Sequence, residues 1–478
     1  MKRSDWNPNP VNLLYRDAVN GMLSRREIIK RGTALGLSSA LMGVILRAES
    51  IGAQATPDAA QPRGWSMPSA EELQAELELG DFSGVELNIV LGADNPGTWM
   101  DELLIERFNE MTGARAVLVK GAESATDRLQ FYLQTMAAQS PEIDAAMIDV
   151  IWPGIMAPHA VDLSDTIGDY DYFERIIENN TVDDALIGIP WFTDAGVFYY
   201  RQDLLEKYGF SAEPQTWDEL EEQAQTIMEG EVAENSAFTG FVWQGNAYEG
   251  LTCNALEWQF SQDGGRIIEP DGTVTVNNPE AIAAFERAAG WVGTISPEAV
   301  TGYMEQDARG VFQGGNAAFM RNWPGDYATM QEEGSAVRDL FGVGQLPAGA
   351  GGTRAATLGG WQMFTSAYSE NQEAAAAFCK FATSAPAQKS RAIERANAPT
   401  ISSLYEDPDV LAAQPYYENL GTVLQEGSIA RPSTPSADLY NDVSIAYFTA
   451  VNEILKGGDA PSLIEDLQEE LEDIMSEL

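Results

Sequence analysis

The chain has few basic residues, one histidine and two cysteines, and these shortages exclude several classes of function. Its 478 residues include 28 Lys+Arg and 73 Asp+Glu, so the formal net charge is −45 at pH 7. Such a surface repels phosphate backbones, which excludes nucleic acid and anionic membranes as partners. Because His159 is the single histidine, a metal site with two imidazoles is impossible. Two cysteines are too few for a disulfide scaffold, a four-cysteine zinc site or an iron–sulfur cluster.

The sequence also lacks the common motifs of nucleotide-binding and hydrolytic enzymes. It contains no Gly-x-x-x-x-Gly-Lys-Ser/Thr loop, no Gly-x-Ser-x-Gly elbow and no His-Glu-x-x-His pair. Carboxylate pairs suited to glycoside hydrolysis can be chosen from 73 acidic residues in many ways, so no single pair is informative. We therefore expect a protein without catalytic residues, metal or cofactor, and an exported glycoside hydrolase or lyase stays open as the alternative.

The first 55 residues differ in charge from the rest of the chain. They contain eight bases and four acids, which leaves 20 bases and 69 acids, a net charge of −49, for the remaining residues. Two adjacent arginines, Arg25 and Arg26, precede an uncharged segment of fourteen residues and an Ala-Gln-Ala sequence that ends at Ala55. A charged region, a short apolar segment and a small-x-small site are the parts of an export signal. The apolar segment is too short to span a bilayer.

The order Ser-Arg-Arg-x-apolar-apolar-Lys resembles the twin-arginine signal, which exports folded proteins. We therefore predict an N-terminal extension and signal over residues 1–55, with cleavage after Ala55, and an extracytoplasmic mature protein. An ordinary basic amphipathic helix is the alternative. No cysteine lies near the cleavage point, so lipid attachment is not available there. Met22 is a second candidate for the start of translation.

After a polar linker over residues 56–83, strand-like and helix-like segments alternate along the chain. Apolar, β-rich segments cover 85–91, 116–120 and 145–151, and segments with helical spacing cover 99–111 and 127–138. Strands that alternate with helices predict βαβ units, a parallel sheet and an α/β fold. The length of the chain favours two to three domains.

Aromatic residues stand beside polar residues at the predicted ends of strands. Trp152 follows an Ile-Asp-Val-Ile segment, Trp323 follows Arg-Asn, and Trp361 follows Gly-Gly. Ligands of open α/β sheets bind outside the carboxyl ends of strands, so these are expected positions for a pocket. Aromatic faces next to carboxylates, amides and an arginine suit a sugar, because rings pack on its C–H face and polar groups bind its hydroxyls. A tryptophan taken alone is more often a core residue than a ligand platform, because aromatic residues bury large areas in any core.

Several motifs, taken in order, resemble those of a known family. The first and last are Ile189-Pro190-Trp191-Phe192-Thr193-Asp194 and Ala430-Arg431-Pro432-Ser433. Between them lie Thr216-Trp217-Asp218-Glu219, Gly240-Phe241-Val242-Trp243, Tyr248-Glu249-Gly250, Gly314-Gly315-Asn316 and Gly359-Gly360-Trp361. With these motifs the chain is similar, from about Gly84 to Leu478, to the family 1 extracellular solute-binding proteins of carbohydrate ABC importers. The similarity is greatest to the trehalose/maltose-binding branch.

This resemblance implies a fold of the periplasmic-binding-protein type II kind, with two α/β lobes joined by hinge strands. The N-lobe would combine residues 84–195 and 347–395, and the C-lobe would combine residues 196–346 and 396–478. Cys253 and Cys379 would then lie on different lobes, which argues against a disulfide between them.

The resemblance also implies a function. The protein would be a monomer that captures a neutral mono- or oligosaccharide, such as the disaccharides trehalose, maltose or sucrose, by closing its lobes. It would then deliver the sugar to the transmembrane subunits of an ABC permease. A binding protein for a polyol or another small polar solute is a second alternative.

Family binding positions carry over to several residues of this chain. Asp149 and Asp194 match acids that accept from sugar hydroxyls, and Arg431 matches an arginine that donates to them. Trp323 and Trp361 match stacking aromatics of the two lobes, and the Gly360 backbone would lie close to the sugar. Further candidates are Thr126, Asp127 and Arg128 in an N-lobe loop and helix start, Asp94 and Asn95 in the first loop, and Trp152 and Trp243. Phe192 departs from the family pattern, in which a tyrosine is typical.

Overall fold

The computed structural model describes residues 30, 67–92, 98–122, 124–422, 424 and 428–478. The predicted signal residues Arg25, Arg26 and Ala55, and the first-loop candidates Asp94 and Asn95, lie outside the described residues. In the described part of the chain, no helix is long and apolar enough to cross a membrane.

Strands and helices alternate in the first half of the described chain, as the periodicity predicts. The strands are β1 (Glu86–Leu91), β2 (Arg115–Lys120), β3 (Ala145–Asp149), β4 (Thr181–Val182), β5 (Ala185–Leu186), β6 (Ile189–Ala195), β7 (Val197–Arg201), β8 (Thr239–Val242), β9 (Ala317–Asn322), β10 (Phe341–Gly344), β11 (Ala356–Thr365) and β12 (Ser428–Ile429).

The α-helices differ in length from four to sixteen residues. They are α1 (Ala70–Leu77), α2 (Thr98–Thr112), α3 (Ala125–Ala137), α4 (Pro153–Met156), α5 (Glu174–Asn180), α6 (Gln202–Tyr208), α7 (Trp217–Glu231), α8 (Glu249–Ser261), α9 (Pro279–Trp291), α10 (Glu305–Gln313), α11 (Asp326–Met330), α12 (Gln372–Ala382), α13 (Ala385–Arg395), α14 (Pro408–Ala413), α15 (Tyr417–Thr422), α16 (Ser433–Ser436), α17 (Tyr440–Leu455) and α18 (Ala460–Met475). Short 3-10 helices cover Ala157–His159, Glu298–Gly302, Ser402–Tyr405 and Ala437–Leu439.

The larger sheet is built mainly from the N-terminal strands. Its order is β12-β11-β3-β1-β2, and β6 also pairs with β11. β1 is parallel to β2 and β3, whereas β11 is antiparallel to β3 and β6. β1 and β3 are buried along most of their length, with residues such as Ile89 and Ile148 fully shielded from solvent, because helices cover both faces of such a sheet.

The smaller sheet has the order β10-β7-β9-β8, with β8 parallel to β9 and the other pairs antiparallel. Its core is aromatic: the rings of Phe198 and Phe319 stack with centroids 5.3 Å apart, and Phe241 packs beside Phe198. The larger sheet packs against two other buried clusters, one that contains Ile89 and Met363 and one that contains Ile148 and Phe364. The two sheets therefore have separate hydrophobic cores.

The chain passes from the larger sheet to the smaller one at Gly196, between β6 and β7. A Cβ atom at this position would overlap the carboxylate of Glu257 and crowd the guanidinium of Arg321, so only glycine fits. The chain returns to the larger sheet between β10 and β11. Two pairs of consecutive strands, β6–β7 and β10–β11, thus connect the two sheets. The site residues meet in the space between the sheets.

Candidate functional site

One wall of the site is a row of residues across three neighbouring strands. Trp361 of β11 lies opposite Asp149 of β3 on one side and opposite Phe192 of β6 on the other. Asp194 lies opposite Gly359, two residues along the same pair of strands. A bulge between Trp361 and Gln362 shifts the register just after this row. Residues that are far apart in sequence are therefore brought together by strand register.

Trp323 forms the opposite wall, directly after β9 of the smaller sheet. Its carbonyl accepts a 2.7 Å hydrogen bond from the Tyr199 hydroxyl, and its indole Nε1 lies 3.4 Å from Glu305 Oε1. The ring approaches the other sheet closely, because a Cβ at Gly359 would lie only 3.1 Å from it. Glycine at this position thus allows the two walls to come together.

The two walls enclose a cleft with about 1090 Å³ of empty space, part of which is open to solvent. The cleft brings together half of the predicted binding residues. Those that line it are Asp149, Phe192, Asp194, Trp323, Gly360, Trp361 and Arg431. Their role in binding a ligand stays a prediction, since proximity alone does not measure affinity.

Arg431 joins carboxylates from both sides of the cleft. Its Nη2 donates to Asp149 Oδ1 at 3.1 Å, and its Nη1 donates to Glu249 Oε1 at 2.7 Å. Glu249 also accepts from the hydroxyls of Tyr440 (2.5 Å) and Ser444 (2.6 Å). Burial raises the pKa of Asp149, and the nearby guanidinium partly offsets this effect. Removing Arg431 would leave two buried carboxylates without their cation.

Asp194 is the least compensated acid in the cleft. It is buried, and its Oδ1 has no hydrogen-bond partner among the described residues. Burial raises the pKa of Asp194 well above its usual value, and the carboxylates of Asp326 and Asp149 raise it further. The native state therefore holds a carboxyl oxygen without a hydrogen-bond partner among the described residues, in a position where water is largely excluded.

Other polar atoms of the cleft are also unsatisfied. Among the described residues, Asn397 Oδ1, Trp191 Nε1 and Arg431 Nε are buried and have no hydrogen-bond partner. All three residues line the same cleft as Asp194. Buried polar atoms of native proteins are nearly always paired, so this concentration makes the cleft the expected position of a bound ligand.

The remaining described candidates lie outside the cleft lining. Trp152 is buried edge-on against Trp361, with ring centroids 5.6 Å apart, and supports that ring from behind. Arg128 is fully buried, and its Nε and Nη2 donate to the carbonyl of Ala122 at 3.1 and 2.9 Å. Trp243 lies in the core of the smaller sheet, where its Nε1 donates to Ser296 Oγ at 3.0 Å.

Thr126 and Asp127 belong to the first turn of α3, which Ser124 caps by accepting from the backbone N–H of Asp127 at 3.4 Å. The residues of this segment that line the cleft are Ser124 and Ala125 instead. Thr126 contacts a small separate cavity next to Trp152. The structure confirms the helix start that the sequence predicts here, but the positions that face the cleft differ by one or two residues.

Sequence reasoning missed several polar residues of the cleft. They are Asp101, Tyr248, Glu249, Glu305, Gln306, Arg309, Asn322, Asp326, Arg395 and Asn397. Tyr248 and Glu249 belong to the Tyr248-Glu249-Gly250 motif, so the sequence does contain a signal that could have indicated them as site residues. The pairing of Asp101 with Arg391 at 2.7 Å spans 290 positions, and no local pattern indicates it.

The profile of the bacterial extracellular solute-binding protein family matches residues 93–389, well over half of the chain. The chain belongs to this family. A Deinococcus radiodurans protein named "Probable ABC transporter-binding protein" is 46% identical over 380 residues, which is 78% of this chain and 90% of its own. The family resemblance drawn from the motifs is therefore confirmed. Because its relatives are binding proteins, this solute-binding protein is not an enzyme.

Solved structures confirm the two-lobed α/β fold of this solute-binding protein. Maltose-bound MalE3 of T. maritima is 35% identical with a TM-score of 0.77, covering 82% of this chain and 100% of that one. A solute-binding protein of Agrobacterium vitis S4 with bound D-mannitol is 20% identical with a TM-score of 0.71, covering 82% of this chain and 99% of that one. The second likeness concerns the fold alone.

Proposed function

We propose that this protein is the extracytoplasmic substrate-binding component of an ABC importer and that its cleft captures a neutral sugar, most simply a disaccharide such as trehalose, maltose or sucrose. The observation that carries this proposal is the mixture of unsatisfied atoms in the cleft. Asp194 Oδ1 and Asn397 Oδ1 need donors, whereas Trp191 Nε1 and Arg431 Nε need acceptors. A hydroxyl group is both donor and acceptor, so a polyhydroxyl ligand can satisfy all four.

The aromatic walls support the same ligand class. Trp361 and Trp323 stand on opposite sides of the cleft and are each partly exposed. Flat apolar faces complement the C–H faces of sugar rings, while the carboxylates between them accept from hydroxyls. Maltose, the ligand bound to the 35% identical MalE3 of T. maritima, is neutral and polyhydroxylated.

Capture requires that the two lobes close over the ligand. Contacts from both walls favour the closed form, and a ligand shifts the equilibrium only by its higher affinity for that form. The closed protein would dock as a monomer on the permease, which reopens it. In keeping with this location, we propose that residues 1–55 carry a twin-arginine export signal that is removed after Ala55.

A thermal-shift panel of neutral disaccharides, monosaccharides, polyols and anionic sugar derivatives tests the ligand class. A ligand present at about 100 times its dissociation constant stabilises the protein by about 2.7 kcal/mol. We expect a neutral sugar to give the largest shift and Asp194→Asn to reduce its affinity, whereas Asp442→Asn, at an exposed position, serves as the matched control. The largest shift from an anionic compound, or no shift from any sugar, would refute the proposal.

Two further measurements separate binding from turnover and from binding without closure. Chromatography after prolonged incubation should recover the bound sugar intact, whereas a hydrolase or lyase would consume it. Small-angle scattering should show a smaller radius of gyration with saturating sugar. An unchanged radius with proven binding would contradict lobe closure.

A further inference from the structure

The carboxyl group of Asp194 lies in the cleft without a counterion of its own. Only 8% of the residue is exposed, and among the described residues its side chain forms no ion pair and its Oδ1 accepts no hydrogen bond. Arg321 is the cation that faces it, but this guanidinium donates to both carboxylate oxygens of Glu257, at 2.5 and 2.9 Å. A negative charge on Asp194 is therefore buried and poorly compensated.

The other charged groups that face Asp194 are themselves acids. They are Asp149 on β3 and Asp326 on α11. Each has an arginine partner, since Asp149 pairs with Arg431 at 3.1 Å and Asp326 pairs with Arg309 at 2.9 Å. Both carboxylates repel a further negative charge, so they add to the effect of burial, which raises the pKa of Asp194 well above its usual value.

Four tyrosines also lie close enough to Asp194 to interact with it electrostatically. They are Tyr199, Tyr405, Tyr416 and Tyr417. Burial raises the pKa of each tyrosine well above its usual value, so all four stay neutral in the range where carboxyl groups ionise. Asp194 is thus the carboxyl group of this cluster that has no arginine partner among the described residues.

We propose that Asp194 rests as the neutral carboxylic acid and binds the sugar as the carboxylate, so that each captured sugar molecule releases one proton to the solvent. The inference rests on the proposed function, since it concerns the same cleft, and it adds a dependence of capture on pH. The neutral acid is the stable form without sugar, because an isolated buried charge is so unfavourable that the group takes up a proton instead.

The hydroxyl groups of a sugar reverse this preference. A hydroxyl that donates to a carboxylate forms a charge-assisted hydrogen bond, which is roughly twice as strong as a hydrogen bond between neutral groups. Further desolvation by the ligand acts in the opposite direction, but only 8% of Asp194 is exposed, so little more water can be removed. The donated hydrogen bonds therefore lower the pKa of Asp194 in the complex, and its proton passes to the buffer.

The direction of the pH dependence follows from these two protonation states. Between the pKa of Asp194 in the complex and its higher pKa in the sugar-free protein, binding must remove the proton, so the affinity for sugar rises with pH. The slope is at most about tenfold per pH unit, which is the limit for one released proton. Above the higher pKa, both states are ionised and the affinity no longer changes with pH.

Infrared titration of the sugar-free protein tests the resting state of Asp194. A carboxylic acid and a carboxylate absorb at different frequencies, so spectra between about pH 4 and about pH 9 report each ionisation. We expect Asp194→Asn to remove one carboxyl group that ionises above the range of exposed aspartates. Asp442→Asn, at an exposed position, is the matched control and should leave that ionisation in place. Identical titrations of Asp194→Asn and the unaltered protein above that range would overturn the inference.

Calorimetry with maltose, in two buffers that differ in ionisation enthalpy, counts the protons exchanged on binding. We expect release of up to one proton and an affinity that rises with pH in the unaltered protein and in Asp442→Asn. Trehalose and sucrose are measured in the same way if maltose does not bind. Proton uptake, binding without proton exchange over the whole pH range, or undiminished release in an Asp194→Asn variant that still binds would each refute the inference.

The two measurements also separate this inference from the proposed function. Sugar binding without proton release rejects the coupling and leaves the proposed function intact, whereas the failure of all three sugars to bind rejects both. If Asp194→Asn folds but binds no sugar, the sign of the proton exchange in the unaltered protein decides together with the infrared titration, which needs no ligand.

Discussion

Replacing Glu257 by glutamine should destabilise the protein far more than the same change at an exposed ion pair. Glu257 and Arg321 each have 1% of their side chain exposed, and their shortest N–O distance is 2.5 Å. Glu257 Oε1 also accepts from the backbone N–H of Thr357 at 3.0 Å. The substitution preserves size but leaves the Arg321 charge buried without its counterion.

The expected magnitude follows from this burial. Removing one partner of a buried ion pair costs about 3 to 5 kcal/mol, because the remaining charge is uncompensated in a medium of low dielectric constant. The matched control is Glu86→Gln, since Glu86 pairs with Arg115 at 2.6 Å while the two side chains are 71% and 74% exposed. Exposed pairs contribute less than about 1 kcal/mol. Residue type and distance are therefore similar, and burial is the variable.

Equilibrium unfolding in urea is the suitable assay, since urea is uncharged and does not screen ion pairs. Tryptophan fluorescence and far-ultraviolet circular dichroism should be recorded together, because coincident transitions justify the two-state free energies. The double variant Arg321→Met with Glu257→Leu should recover most of the stability lost in Glu257→Gln, as an apolar pair replaces the charges. A Glu257→Gln variant no less stable than Glu86→Gln would refute the reasoning.

Three further predictions concern single residues of the cleft. Asp194→Asn should raise the melting temperature at neutral pH while weakening sugar binding, because ionising this buried carboxyl destabilises the native state. Since the raised pKa of Asp194 means that the native state binds more protons than the unfolded state, the gain in melting temperature should vanish as pH falls towards about 4. A pH series of melting curves checks this. A gain that is independent of pH would contradict this cause. Trp361→Ala should lower sugar affinity about tenfold by calorimetry, whereas Trp361→Phe keeps an aromatic face and should lose less. Gly360→Ala should lower the free energy of unfolding in urea by about 1 to 3 kcal/mol, because φ at this position is +135° and a Cβ atom would lie 2.9 Å from the Phe192 carbonyl oxygen. Gly290→Ala is the control and should not lower it, because a Cβ atom there would have no neighbour within 4 Å.

Local features of the fold and site could be predicted from the sequence. The strand that ends at Asp149 and the helix that begins near Asp127 follow from hydrophobic spacing and capping, which depend on neighbouring residues. Asp194, Trp323 and Trp361 are recognisable as candidates because they follow or lie within motifs at strand ends, where ligands of α/β proteins bind. These signals are readable because each is contained within a few positions.

The misplaced candidates show where local reasoning fails. Trp243 has the same flanking pattern of strand and glycine as a cleft tryptophan, yet it is buried between Trp258 and Trp291, with ring centroids 5.0 and 6.4 Å away. An aromatic residue suits a hydrophobic core as well as a ligand platform, so only its neighbours in space distinguish the two. Arg128 likewise lies behind Trp361 rather than in the cleft.

The sequence by itself determined the acidic character of the chain, the absence of multi-histidine and multi-cysteine chemistry, the alternation of strands and helices, and the family. Composition and periodicity carry this information without any knowledge of contacts. Only the tertiary structure decided that Asp194 Oδ1 has no hydrogen-bond partner among the described residues, that Arg431 joins Asp149 to Glu249, and that the Arg321 guanidinium lies against the Trp323 ring. The energies of buried charges depend on which groups surround them, and strand register and packing bring those groups together from distant parts of the chain.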